Sequence, residues 1–274
     1  MTNRREQLIS YAVLGVFAII AIYPILTIVL LAFHRRSDLV TGFSIPDAPT
    51  FDTFRMAWEE GGFNHGLVNS FIVAASVSLV TAVLATLAGY AFGTMRFRGS
   101  SALFYLLLIG LIFPYEATVI PLYYVFKDVG LTDSLWALIL PQIGLSIPFG
   151  TFWMRAFFRS TPGALVEAAR LDGASSLSTL VRVLLPQAWP ALTTLVVLVF
   201  MWTWNEFLLA LVMIQSDSLR TAPLGLALFS GANRSSDPTL VAAAAVLVAL
   251  PIIIVYLFLQ RSFIRGMFAG AVKE

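Results

Sequence analysis

Apolar residues form six long runs along the chain, and polar or charged residues collect between them. The runs cover residues 8–33, 67–93, 102–126, 135–154, 188–214 and 239–259. Each can cross the hydrocarbon core of a bilayer, which takes about 20 helical residues. Membrane-barrel strands would instead alternate apolar and polar residues in segments of about ten. The pattern therefore predicts an all-α, polytopic membrane protein with six transmembrane helices.

The composition supports this prediction. Only 12% of the 274 residues are charged, where an ordinary globular domain has about 25%, and the mean hydropathy is +0.87. The first run exceeds the apolar core of a cleavable signal, about 7–15 residues, so we expect a retained span. Because the chain has no cysteine, it has no disulfide framework and no thiolate metal site.

Basic residues between the runs predict the orientation, because Lys and Arg concentrate in cytoplasmic segments. On the side that holds both termini there are 11 of the 17: Arg4, Arg5, Arg96, Arg98, Arg155, Arg159, Arg170, Arg182, Arg261, Arg265 and Lys273. The other side holds Arg35, Arg36, Arg55, Lys127, Arg220 and Arg234. Both termini are therefore predicted to be cytoplasmic. This bias accounts for the net charge of +2, so no nucleic-acid partner is implied.

The runs and loops predict one transmembrane domain over residues 1–274. Its parts are a first span at 8–33, a five-helix core at 67–259, a cytoplasmic turn at 160–187 and a C-terminal tail at 260–274. In the longest outer loop, "PTFDTFRMAWEEGGF" predicts a short amphipathic helix that ends at Gly61 and Gly62. We expect its Phe54 and Trp58 to rest at the membrane interface.

Small residues and prolines mark special positions within the runs. Small residues at helical spacing predict close helix packing in the second and sixth spans, at Ala85, Gly89, Gly93, Ala242, Ala245 and Ala249. Prolines predict bends in the third and fourth spans, at Pro114, Pro121, Pro141 and Pro148. Such bends occur around a transport pathway, but the same prolines are equally compatible with structural kinks in helices that line no pathway.

The longest cytoplasmic segment, residues 159–187, predicts two helices joined by a turn. Ser160 or Thr161 is expected to cap the first helix, with Pro162 at its first position and the helix ending at Asp172-Gly173. A second short helix is then expected to begin at a Ser175 or Ser176 cap and to end near Pro186.

The turn projects Glu167 together with the small residues Ala168, Ala169 and Ala174. Small side chains let another backbone approach closely, and a carboxylate can fix the register. The residues by themselves fit a docking surface for a cytosolic partner and an ordinary amphipathic connector equally well.

"EAARLDGAS" followed by "LLPQAWPAL" resembles the EAA signature of the membrane subunits of binding-protein-dependent ATP-binding-cassette importers. "NSFIVA" at Asn69, "ATVIPLYYVFKDVGLTDS", "WNEF" and "QRSFIRGMFAGAVKE" resemble the carbohydrate-uptake, maltose-type branch with six spans. The resemblance implies the fold of a type I importer membrane domain. It also implies a permease subunit, not an enzyme, in the inner membrane of a bacterium or archaeon, for a sugar or sugar-like solute.

The resemblance implies several partners besides the lipid bilayer: a second, homologous permease subunit, two ATPase subunits that use ATP and Mg, and an extracytoplasmic solute-binding protein. No cofactor is implied for this chain. The ATPase-coupling residues would be Glu167, Ala168, Ala169, Asp172, Gly173 and Ala174, and the C-terminal ATPase contact would involve Gly266, Gly270 and Lys273. A phosphate loop of the common kind needs Gly-Lys-Ser/Thr, and neither Lys127 nor Lys273 follows a glycine.

Polar residues that interrupt the apolar runs are candidates for lining the pathway. A charge at the bilayer centre costs about 2.5–3.5 kcal/mol on insertion scales and usually faces a bundle interior or cavity. The candidates are Tyr115, Glu116, Trp202, Trp204, Asn205 and Glu206. Aromatic faces beside amides and carboxylates suit a sugar, whereas interhelical hydrogen bonding or gating would also explain them.

Two other classes of function compete with the importer. An ion-coupled secondary transporter would use Glu116 and Glu206 as proton carriers, but the inverted repeats typical of that class are not apparent in the sequence. An intramembrane enzyme would need a nucleophile with a base, or metal ligands. His34 and His65 both fall in the outer loop, where we expect them to be solvated or interfacial.

Overall fold

The computed structural model describes residues 4–36, 38, 40, 42–233 and 237–269, with side chains for all of these except 232–233 and 261–269. This part of the chain contains twelve α-helices and no strand, which confirms the all-α prediction. The helices are α1 (Arg4–Ala32), α2 (Asp52–Gly61), α3 (Phe63–Thr94), α4 (Ser100–Ile112), α5 (Tyr115–Asp128), α6 (Trp136–Ser160), α7 (Gly163–Leu171), α8 (Ser176–Ser178), α9 (Leu185–Trp204), α10 (Leu208–Met213), α11 (Ala222–Asn233) and α12 (Pro238–Ala269).

The membrane spans agree with the predicted count of six once one of them is taken as broken. Within the described residues, five helical segments are long and apolar enough to cross a bilayer: Arg4–Ala32, Phe63–Thr94, Trp136–Ser160, Ser176–Trp204 and Pro238–Gln260. The sixth is the pair α4 and α5, whose axes meet at 95°.

The break between α4 and α5 lies at one of the predicted prolines. Phe113 and Pro114 adopt extended backbone angles, with ψ of 129° and 112°, and so end α4. Proline has no N–H to donate, and its ring disfavours a helical conformation in the residue before it. Pro141 and Pro148 lie inside α6, which continues past both.

The fifth span, predicted at residues 188–214, begins and ends earlier in the structure, at Ser176–Trp204. The helix that starts at Ser176 does not end near Pro186 but runs without interruption to Trp204, through a π-helical stretch at Thr179–Leu184. The Leu185 N–H donates to the Leu180 carbonyl in this wider turn. Pro186 is tolerated because it falls in the first turn of α9. The helix then breaks at residues 205–207, before α10, instead of continuing to residue 214.

The predicted small-residue face of α3 packs against α6. A Cβ added to Gly89 would lie 2.6 Å from Met154 Cβ and 2.8 Å from the Arg155 backbone N, and one added to Gly93 would lie 2.9 Å from Phe158 Cβ. On the facing helix, a Cβ on Gly150 would lie 2.7 Å from Ala85 Cβ. Even one methyl group at these glycines would push the two helices apart. The prediction of close approach at Ala85, Gly89 and Gly93 is confirmed.

By its internal contacts the chain forms two units, residues 1–64 with 225–251 and residues 65–224 with 252–274. In the first unit, α1 is exposed along its apolar length and only Ala32 is buried. The predicted amphipathic helix is present as α2, and Gly62 ends it with a φ of 60°. Phe54 packs beside Phe33, with ring centroids 5.0 Å apart.

His34 corrects the solvated alternative of one prediction made from the sequence. Its side chain is not solvated but buried, at 4% exposure. Nδ1 donates to the Leu30 carbonyl at 3.0 Å, and Nε2 forms a hydrogen bond with the Ser44 hydroxyl at 3.3 Å. In the same unit, Asp237 is buried and forms an ion pair with Arg36. His65, by contrast, is exposed.

Candidate functional site

The first candidate site is the turn that follows α7, in the second unit. Gly173 has a φ of 78°, its N–H donates to the Arg170 carbonyl at 3.0 Å, and the Ala174 N–H donates to the Ala169 carbonyl at 2.9 Å. This pair of bonds is the Schellman arrangement, which closes a helix when glycine takes the left-handed conformation. The predicted end of the helix at Asp172-Gly173 is confirmed, and the turn is fixed by its own backbone.

The caps of the two helices agree with the sequence only in part. Pro162 is the N-cap of α7, and the helix begins at Gly163, one residue later than expected. Neither Ser160 nor Thr161 caps it, because both hydroxyls donate back to the Phe157 carbonyl, at 2.7 and 3.3 Å. The Ser175 cap of the following helix is confirmed, since its hydroxyl accepts from the Ser178 N–H at 3.3 Å.

The turn buries one face and exposes the other. Val166 and Ala169 are buried, and Val166 belongs to the same apolar cluster as Leu180 and Leu184 of the π-helical stretch. Glu167 and Asp172 are exposed, as are Ala168 and Gly173, while Ala174 is half-buried. Ala169 therefore packs on the buried side of the turn, and the other small residues lie at its surface.

The exposed face of the turn carries charges and apolar side chains together. Glu167, Arg170 and Asp172 form no ion pair or side-chain hydrogen bond with any residue that the structure describes. Leu171 is 89% exposed and Leu177 is 63% exposed. Both leucines were missed in the sequence analysis, because helical spacing alone does not show which side chains near the turn are exposed. Unpaired charge beside exposed leucine is typical of an interaction surface.

The C-terminal residues named from the sequence lie at the edge of the described chain. Gly266 falls in α12, where the backbone is helical. Gly270 and Lys273 lie outside the described residues.

The second candidate site lies at the break between α4 and α5. The Tyr115 hydroxyl donates to the Glu206 carboxylate, across 91 positions of sequence. The same carboxylate accepts from the Leu209 N–H at 3.0 Å and from the Ala210 N–H at 3.3 Å. Glu206 thus satisfies the first N–H groups of α10, which explains how a carboxylate is accommodated within an apolar run.

Tyr115 and Glu206 line a cavity of about 270 Å³. Phe149 and Trp202 meet edge to face in its wall, with ring centroids 4.8 Å apart. The lining residues are Leu111, Tyr115, Gln142, Leu145, Ser146, Phe149, Trp202, Thr203 and Glu206. Sequence reasoning missed Gln142, Ser146 and Phe149, although their spacing of four and three residues places them on one face of α6.

Three of the other pathway candidates do not line this cavity. Trp204 is buried at 2% exposure and stacks on Phe200, with ring centroids 5.8 Å apart. The Asn205 amide donates to the Met201 carbonyl at 2.7 Å and so caps the end of α9. Glu116 is exposed and makes no hydrogen bond to another described side chain.

The loops beyond α5 and α10 are held together by polar contacts that the sequence did not reveal. Asp133 has a φ of 53°, and one carboxylate oxygen accepts from the Gln215 and Ser216 N–H groups, both at 2.9 Å. The other accepts from the Ser216 hydroxyl at 2.5 Å. The Ser216 hydroxyl, then the two backbone N–H groups, hold the pKa of Asp133 below its ordinary value.

Asn69 anchors the same loop from α3. Its amide donates to the Ser218 and Arg220 carbonyls, at 2.8 and 3.0 Å, and the neighbouring Ser70 hydroxyl accepts from the Ala222 N–H at 2.9 Å. In the described part of the chain, no group of His, Asp and Glu residues is arranged to hold a metal ion.

Comparison with known proteins gives a consistent result. Residues 83–269 match the family described as "Binding-protein-dependent transport system inner membrane component". The trehalose transport system permease protein of Mycobacterium tuberculosis is 35% identical, over 92% of this chain and 93% of that protein. The maltodextrin transport system permease protein of Bacillus subtilis is 30% identical, over 98% and 96%.

A solved structure supports the same conclusion. A chain of a bacterial ABC transporter involved in the import of the acidic polysaccharide alginate superimposes with a TM-score of 0.79, at 25% identity, over 96% of this chain and 99% of that chain. The present chain belongs to the family of binding-protein-dependent inner membrane transport components. It is a multi-pass permease subunit of the inner membrane and not an enzyme.

Proposed function

We propose that this chain is one permease subunit of an ATP-driven importer for a sugar or sugar-like solute. The sugar class is supported by relatives that are named for trehalose and maltodextrin transport and match nearly the whole chain. The proposed assembly contains a second, homologous permease subunit, two ATPase subunits that use ATP and Mg, and an extracytoplasmic solute-binding protein. It lies in a bacterial or archaeal inner membrane, with both termini cytoplasmic.

The turn after α7 is proposed to receive the motion of an ATPase subunit. The observation that carries this proposal is its exposed face, where Glu167 has no partner among the described residues and Leu171 is 89% exposed. The backbone bonds around Gly173 fix the shape of that face. A partner that covers the face would bury apolar area and pair the carboxylate at the same time.

The free energy that coupling requires indicates that the whole exposed face of the turn takes part. Moving a two-state equilibrium from 1:99 to 99:1 requires about 5.5 kcal/mol of differential interaction, whereas an exposed ion pair contributes about 0–1 kcal/mol. Glu167 is therefore proposed to set the register, while contact at Ala168, Leu171, Gly173 and Ala174 transmits force. Gly266, Gly270 and Lys273 are proposed to add a C-terminal ATPase contact.

Within the membrane, this chain is proposed to form half of the pathway. The cavity beside the α4–α5 break supports this role, because Tyr115, Trp202 and Glu206 lie together in its wall.

The test is the ATPase rate of the purified complex in the presence of its solute-binding protein. We expect trehalose or maltotriose to raise the rate, and uptake into sealed vesicles to continue when the proton gradient is collapsed while ATP remains. Uptake that stops with the gradient would instead favour an ion-coupled transporter, and a rate that no sugar raises would overturn the sugar proposal.

A further inference from the structure

The cavity beside the α4–α5 break contains polar groups that have no partner. Gln142 is 6% exposed and Thr203 is 7% exposed, and both line the cavity. Neither side chain makes a hydrogen bond to any residue within the described ranges. Neither is among the side chains whose unpartnered polar atoms are fully buried, so the amide and the hydroxyl stay accessible and can pair with a molecule that enters the cavity.

The rest of the wall restricts what that molecule can be. Phe149 and Trp202 offer aromatic surface, and Trp202 is half exposed. A sugar ring has apolar C–H faces that suit aromatic surface and hydroxyl edges that suit an amide and a hydroxyl. The volume, about 270 Å³, lies just below the usual range of small-molecule sites, about 300–1,000 Å³, so the cavity suits one ring.

The charge of the wall is the third constraint. Among the described residues that line the cavity, none is basic, and Glu206 is the one carboxylate. The Tyr115 hydroxyl and two backbone N–H groups donate to Glu206, so the donors next to this carboxylate are already used. A sugar that carries a carboxylate would therefore meet a like charge and no compensating cation.

We propose that this cavity is a subsite for one uncharged sugar ring, bound by Gln142 and Thr203 against Phe149 and Trp202, and that it discriminates against acidic sugars. The proposal rests on the proposed function in sugar import. It assigns sugar contacts to this chain's own half of the pathway. It also separates the chain from its structural neighbour, which serves an acidic polysaccharide.

The test is equilibrium binding of radiolabelled sugars to the purified complex of permease and ATPase subunits, without the solute-binding protein. Maltotriose is compared with a trisaccharide of alginate, which has the same number of rings but carries carboxylates. We expect the unaltered complex to bind maltotriose at least about tenfold more tightly, because the acidic rings meet Glu206 without a cation.

Two substitutions remove the unpartnered groups with little change of shape. Gln142→Met and Thr203→Val should each weaken maltotriose binding about three- to tenfold, the usual effect of one lost hydrogen bond. Thr203→Ser restores the hydroxyl and should bind as the unaltered complex does.

Matched controls come from residues whose polar groups already have backbone partners. On the same helix as Thr203, the Thr193 hydroxyl donates to the Trp189 carbonyl at 2.8 Å, and the Gln260 amide donates to the Leu257 carbonyl at 3.1 Å. Thr193→Val and Gln260→Met should leave binding unchanged. If Gln142→Met does not assemble, the Val and Ser variants of Thr203 decide the test.

Two results would overturn the subsite. One is maltotriose binding that is equal in Thr203→Val, Thr203→Ser and the unaltered complex. The other is equally tight binding of the alginate trisaccharide. Either leaves the proposed function intact if trehalose or maltotriose still raises the ATPase rate. If neither raises it, the proposed function fails and the subsite fails with it.

Discussion

Two glutamates in the same unit have opposite surroundings. Glu206 lies within an apolar run, where its carboxylate accepts hydrogen bonds from Tyr115 and from the backbone of α10. Glu167 lies at an exposed turn and has no partner among the described residues. The first carboxylate is used inside the chain to close a helix break. The second is available to another molecule, so the two should respond differently to substitution.

The largest expected effect is at the exposed turn and tests whether its face is a docking surface. Gly173→Trp should abolish transport while the subunit still inserts and assembles, because the bulky side chain prevents close approach of the ATPase. The measurement is vesicle uptake beside the yield of membrane-inserted subunit.

Gly99→Trp is the matched control for that variant. Gly99 has a φ of 81°, Gly173 has a φ of 78°, and a Cβ added to either meets no atom of the chain within 4 Å. The backbone strain is therefore alike in the two variants. Equal loss of transport from both would show that strain, not docking, is responsible.

The next largest effect is expected at Glu206, the glutamate that accepts hydrogen bonds within the chain. Glu206→Leu leaves the Tyr115 hydroxyl and the Leu209 and Ala210 N–H groups without their acceptor, which should lower the free energy of unfolding by about 1–3 kcal/mol. The measurement is the thermal unfolding midpoint of the complex in detergent. Glu116→Leu should change it little, because Glu116 is exposed. Similar midpoints for the two variants would contradict the structural role given to Glu206.

A smaller effect is expected for the exposed glutamate. Glu167→Gln should leave the unfolding midpoint unchanged and weaken the affinity for the ATPase subunit up to about fivefold, since an exposed ion pair contributes about 0–1 kcal/mol. The effect should shrink as salt is raised. Glu60→Gln, at another exposed site, should do nothing. A lowered midpoint for Glu167→Gln would mean that this glutamate, too, has an internal role.

The smallest effect is expected at Asp133, a carboxylate that is half-buried and accepts hydrogen bonds. Its folded pKa is lowered by Ser216 and Gln215, so its stabilising contribution is complete above the ordinary Asp pKa of about 3.9 and is lost as pH falls through the folded value. Amide exchange at Gln215 and Ser216 should therefore stay slow down to about pH 4, and above that pH it should be faster in Asp133→Asn. Asp128→Asn is the control. Equal exchange in both variants would show that the Asp133 carboxylate does not hold the backbone at Gln215 and Ser216 in place.

The features that could be predicted from the sequence depend on local rules. Apolar runs of membrane length predicted the spans, and Gly173 predicted the end of α7, because few other residues adopt its backbone angle. The small residues of α3 predicted close packing, although Gly150, which meets Ala85 from 65 positions further along the chain, was not identified as a partner.

The features that were missed depend on distant parts of the chain. Pro186 read as a helix end because proline commonly follows one, but here a π-helical stretch precedes it and the helix continues. Gln142 and Thr203 were not singled out within their apolar runs. Only the fold places them in one wall with Glu206. His34 was expected to be solvated or interfacial because it falls in the outer loop, whereas its side chain is buried and contacts Ser44 of the same loop.

The contact between α3 and α6 also bears on how the subunit moves. Gly89, Gly93 and Gly150 leave no gap into which either helix can slide, and only residues 161–162 separate α6 from α7. If the turn after α7 receives the motion of an ATPase subunit, as proposed, we expect a push against α7 to be passed along α6 and α3 to move with it. Gln142 lies near the N-terminal end of α6, away from α7, so the proposed coupling would move the cavity wall together with the helix.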